Sequence, residues 1–213
     1  MSHTQSDGIA TGSWGGGVAP FAVNSKKLGM WLFIVSDTLT FTALLVSYAY
    51  VRLANPDWPR PFEIWPAIAK SSAMTLILLS SSLTMVLGVA AANRGDRKAT
   101  LRYLMWTMFF GAAFVVIHAT EWYTLIVVEK VTPWSNPWGA PLFGASFFGI
   151  TGLHMTHVTI GVVYLAVIAW GFGKDKFSAI DVEVSGLYWH FVDLVWMFVF
   201  PMLYLMSVDL TKH

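Results

Sequence analysis

Cysteine is missing from all 213 residues. That absence excludes disulfides, thiolate metal sites, iron–sulfur clusters and cysteine nucleophiles, so any metal or haem would have to rest on His, Met or carboxylates. Charge is scarce as well. Asp, Glu, Lys and Arg make up 12% of the chain against 56% hydrophobic residues, whereas about a quarter of a soluble domain is charged. The formal net charge of +1 comes with no basic run, so the electrostatic footprint of a nucleic-acid partner is lacking. Residues 1–27 hold Trp14-Gly15-Gly16-Gly17, end at Lys26-Lys27 and contain no apolar core segment. They read as a flexible cytoplasmic tail and not as a signal peptide.

Five long apolar stretches fill the rest. About 20 apolar residues at roughly 1.5 Å rise cross a hydrocarbon layer of about 30 Å. The sequence therefore predicts an all-α integral membrane bundle, one domain over 28–213, with transmembrane helices at about 28–51, 71–93, 103–128, 142–172 and 184–208. The fourth helix starts near Leu142, because Pro133, Pro137, Gly139 and Pro141 cannot all sit in a helix. Pro201 predicts a kink in the fifth, with a neighbour satisfying the freed carbonyl.

Eight of the 13 lysines and arginines fall in the N-terminal tail and in the second and fourth loops. The positive-inside rule places those segments, and the N-terminus, in the cytoplasm and the C-terminus outside. Trp58, Trp65, Trp134 and Trp138 lie in the opposite loops, where indoles settle at headgroup level. Ser80, Thr84, Gly88 and Ala92 recur every four residues on the second helix and predict close packing, inside the bundle or against a partner.

Polar side chains inside these spans are costly and therefore informative. His118 with Glu121, His154 with His157, and His190 with Asp193 are each three residues apart and share a helix face. Four roles fit such pairs: an interhelical hydrogen-bond network, direct metal ligation, haem ligation, or proton exchange. The four Glu and two Glu-x-x-His units of a di-iron bundle are not present, and His154 and His157 are within one turn, too close for two stacked haems. Asp37, near the middle of the first helix, must be neutral or paired. It reads as a buried hydrogen-bonding group or a protonatable site. Intramembrane acids and His pairs alone also suit a proton-coupled transporter, but no inverted repeat is visible.

Two segments carry a specific resemblance. Ser146-Phe147-Phe148-Gly149-Ile150-Thr151-Gly152-Leu153-His154-Met155-Thr156-His157-Val158 and Tyr188-Trp189-His190-Phe191-Val192-Asp193-Leu194-Val195-Trp196 are similar to signatures of subunit III of the haem-copper terminal oxidases, in its five-helix bacterial form. Glu121-Trp122-Tyr123 and Phe33-Ile34-Val35-Ser36-Asp37 add to it. The resemblance implies a non-redox, phospholipid-binding subunit of an aa3-like cytochrome c oxidase in a bacterial plasma membrane. It implies no cofactor in this chain, haem and copper in partner subunits I and II, and support of assembly, turnover and proton uptake. Asp37 stands where cytochrome c oxidases commonly have Glu and quinol oxidases have Asp. A quinol oxidase subunit III, or an accessory subunit of a nitric oxide reductase, stays open. Met155 and Thr156 replace a Gly-Leu often seen between the paired His, which predicts a bulkier helix contact there.

Overall fold

The computed structural model describes residues 24–209; most of the expected N-terminal tail lies outside them. Five helices long and apolar enough to cross a membrane follow one another: α1 (Ser25–Ala54), α2 (Ala69–Asn93), α3 (Arg97–Tyr123), α4 (Pro141–Gly173) and α5 (Ala179–Val199). Among the described residues no strand forms, and the backbones of Phe62 and Val208 meet in a single isolated bridge.

Hydropathy located the embedded stretches, and capping set their ends. The helices reach past the apolar stretches wherever a polar side chain can take up their free N–H groups. Asn24 accepts from the Lys26 amide at 3.0 Å, which carries α1 back over Lys26 and Lys27. Asp96 accepts from the Ala99 amide at 3.0 Å, so α3 begins among basic residues, six before the expected Tyr103. At α5 the amide and hydroxyl of Ser178 both donate to Asp181 Oδ2 at 2.9 Å. Between α2 and α3 the chain reverses on Gly95, whose φ of +76° lets the Gly95 and Asp96 amides close back on Ala92 and Ala91 at 3.0 Å.

The helix ends away from Lys26 and Lys27 are irregular. Wider π turns run over Thr124–Val128 after α3 and Phe200–Tyr204 after α5. The second holds Pro201, so the expected bend takes the form of a π turn, which removes the strain of a ring without an N–H.

α5 is the central element. It touches α1, α2 and α4, while α3 packs between α2 and α4. Half of the most apolar window of α5 is buried against 6% of that of α1, so α1 is a peripheral helix laid on α4 and α5. Polar ties hold it at three heights. Lys26 and Lys27 pair with Asp181 and Glu183, the latter at 2.7 Å; Asp37 meets His157 at 2.8 Å; and Tyr48 and Arg52 reach the Ser207 hydroxyl at 3.2 Å.

Trp189 locks the interior. Its indole N–H donates to Ser81 Oγ of α2 at 3.0 Å, while its ring covers Gly111 of α3 and Gly161 of α4. A Cβ at those glycines would lie 2.4 Å and 2.9 Å from it. Small residues serve α2 similarly: the Thr84 and Thr107 hydroxyls meet at 2.8 Å, and Gly88 admits Tyr103 of α3. Thr84, Gly88 and the buried Ala92 therefore pack within the bundle, whereas Ser80 is exposed.

Candidate functional site

The intramembrane polar residues gather in four places. The first lies between α1 and α4, where His157 Nε2 approaches Asp37 Oδ2 at 2.8 Å. Oδ2 has no directed hydrogen bond, so the two groups lie close without donor and acceptor in line. His157 Nδ1 meets the Leu153 carbonyl at 2.8 Å. A carbonyl only accepts, so Nδ1 carries a proton.

The second is an aromatic enclosure. His118 and His154 are fully buried, and none of their four ring nitrogens has a hydrogen-bond partner among the described residues. His154 stacks on Trp196 at 5.1 Å, Phe114 stands edge-on to both imidazoles, and Trp122 closes on His118 at 6.0 Å. Trp196 is anchored by its N–H to Thr75 Oγ1 at 2.9 Å.

Glu121 forms the third place. Its Oε2 accepts from Tyr204 at 2.9 Å and its Oε1 from Ser71 at 3.4 Å. It also lines a cleft of about 540 Å³ at the bundle end away from Lys26, with Glu63, Lys70 and Glu129. Lys70 Nζ donates to Thr120 Oγ1 at 2.9 Å.

In the fourth place, Ser82 of α2 and His190 Nδ1 of α5 meet at 2.7 Å. Asp193 is buried beside Ser82, but neither of its carboxylate oxygens has a directed hydrogen bond.

Sequence spacing thus put each pair on one helix, but their partners differ. His154 turns into the aromatic core while His157 turns to α1. His118 and Glu121 both face inward, yet only Glu121 is hydrogen-bonded. Among the described residues no three His, Asp or Glu side chains converge on a point where a metal ion would sit. Met155 is half-buried, and Thr156 is exposed with its hydroxyl returned to the Gly152 carbonyl at 2.8 Å. Trp189, Trp196, Tyr204 and Ser82 were not singled out from the sequence. Two of them stood in the quoted signature, and the glycines opposite Trp189 were the complementary signal.

The two segments that carried the resemblance form one seam: Tyr188 donates to the His157 carbonyl at 3.0 Å and Trp196 stacks on His154, while Trp189 covers Gly161 just beyond the first segment. Residues 3–208 match the family model for cytochrome c oxidase subunit III. The chain belongs to that family. It is similar to cytochrome c oxidase subunit 3 of Alkalihalophilus pseudofirmus, 30% identical over 187 residues, with 86% of this chain and 88% of the relative covered. Cytochrome c oxidase subunit 3 of Corynebacterium diphtheriae is 33% identical, with 85% and 88% covered. The cytochrome bo(3) ubiquinol oxidase subunit 3 of Pseudomonas putida is 29% identical, with 85% and 86% covered. As a subunit III, this chain is part of an oxidoreductase complex without being its catalytic subunit. That favours the subunit reading over a free-standing transporter.

Proposed function

We propose that this subunit III is a phospholipid-binding scaffold of a proton-pumping cytochrome c oxidase of the aa3 type in a bacterial plasma membrane. Its partners are subunit I, which carries the haems and copper of oxygen reduction, and subunit II. Asp37, His118, Glu121, His154, His157, His190 and Asp193 position helices in this reading and do not touch reacting atoms. The end bearing Lys26, Lys27 and Arg97 faces the cytoplasm, supported by the lysine and arginine excess there. The similarity to both cytochrome c and ubiquinol oxidase subunits keeps a quinol-driven enzyme as the second reading.

One observation carries the lipid role. A cleft of about 350 Å³ opens between α1 and α5, lined almost wholly by apolar side chains that include Phe41, Leu45, Leu194 and Phe198. Phe41 also stands edge-on to His157 at 5.4 Å, so the cleft adjoins the Asp37–His157 tie. Such a volume and lining suit a stretch of acyl chain. Purification of the whole complex in mild detergent, with phospholipid counted by mass spectrometry, tests this. Leu194→Trp should displace bound phospholipid while leaving haem per subunit I unchanged. Unchanged lipid in an intact complex would refute the lipid role, and failure of a haem-bearing subunit to co-purify would refute the assembly.

A further inference from the structure

His190 is held by Ser82 through Nδ1, but its other ring nitrogen is neither hydrogen-bonded nor enclosed by the bundle. It opens into a shallow groove of about 320 Å³ between α2 and α5, walled by Val86, Val89 and Leu187. Gly186 keeps the groove open, since a Cβ there would already press on Val89 at 3.1 Å.

Depth decides what can cover that nitrogen. His190 lies eleven residues beyond the start of α5, and Ser82 lies eleven before the end of α2. At about 1.5 Å per residue Ser82 sits roughly 16 Å from the end of α2 and His190 roughly 10 Å past Glu183, the last charged residue before it on α5, so both lie inside a hydrocarbon layer about 30 Å thick. Lipid headgroups do not reach that level, and acyl chains offer nothing to an imidazole N–H or lone pair. A polar side chain on a neighbouring transmembrane helix does both. Toward the membrane surface the groove ends at Asn93 and Glu183, the latter paired with Lys27 at 2.7 Å. The surface thus has an apolar bed, one buried polar contact and a charged rim.

We infer that the groove between α2 and α5 is the docking surface for one transmembrane helix of a partner subunit, which presents a hydrogen-bonding side chain to His190 Nε2. This rests on the reading of the chain as a subunit of a membrane complex and specifies which face is used.

Photo-crosslinking in native membranes tests the face. A photoreactive residue is placed at Val86 or at Leu187, with Phe109 on the outer side of α3, 60% exposed, as the comparison. Val86 and Leu187 should each yield an adduct with a larger membrane subunit, and Phe109 should yield lipid adducts. Lipid or quinone adducts alone from Val86 and Leu187, with the complex co-purifying intact, would overturn the docking face and leave the subunit reading standing. Loss of co-purification by the unsubstituted chain would sink both. As a second measurement, His190→Phe should speed dissociation of this subunit in mild detergent about threefold, the size of an average interhelical hydrogen bond. His190→Gln should restore it. Equal rates for all three would overturn the polar contact.

Discussion

The indole of Trp189 occupies the space that a methyl group on Gly111 would need: a Cβ there would lie 2.4 Å from the ring. The glycine of α3 and the tryptophan of α5 are one packing unit, although 78 residues separate them in the chain.

Gly111→Ala should therefore destabilise the bundle by about 1–3 kcal/mol, the usual cost of overpacking a filled interior. Gly149→Ala, which meets nothing within 4 Å, serves as the comparison. The temperature at which the subunit is lost from the solubilised complex should fall for the first and stay for the second.

The Trp189–Ser81 hydrogen bond, 3.0 Å, should show a coupling of about 0.6 kcal/mol and no more than about 1.7 in a double-mutant cycle of Trp189→Phe and Ser81→Ala. A coupling near zero would mean that the indole holds the helices by packing alone.

Tyr204→Phe should cost about 1–3 kcal/mol, because it leaves Glu121 Oε2 buried without the donor now at 2.9 Å. Combining it with Glu121→Leu, which removes the orphaned acceptor, should recover part of that loss. Thermal inactivation of the purified complex measures both.

A hydrophobic carbodiimide should label Asp37 in intact membranes, because a carboxyl in hydrocarbon must be neutral or paired and its contact with His157 is not an aligned hydrogen bond. His157→Phe removes the basic partner and should increase labelling; Asp37→Asn should abolish it. An unlabelled Asp37 in intact membranes would contradict a protonated, lipid-accessible carboxyl.

His157→Ala should loosen α1 selectively, since that helix buries little apolar surface and depends on its polar ties. Amide exchange should rise in the middle of α1 and bound lipid should fall, with haem content per catalytic subunit intact. Uniform exchange across all five helices would point instead to general unfolding.

The five crossings were legible from residue types alone, because hydrocarbon accepts only long apolar helices whose backbone groups are satisfied internally. Their ends were less so. α3 and α5 begin five to six residues before the apolar stretches, since Asp96 and Ser178 cap charged turns that hydropathy discards. Of the polar residues, three-residue spacing placed His154 and His157 on one helix, yet a difference of about 60° around α4 was enough to send one to Trp196 and the other to Asp37.

What residue order determined here is the solvent, the element type and the inventory of costly polar groups, since these follow from local composition and a period of 3.6 residues. Tertiary structure alone decided which imidazole meets a carboxylate, which stands among indoles, and which opens outward. Each depends on the rotation of one helix against another, which for α3, α4 and α5 is fixed where Gly111 and Gly161 let Trp189 enter. That is a relation between distant side chains that no local period records.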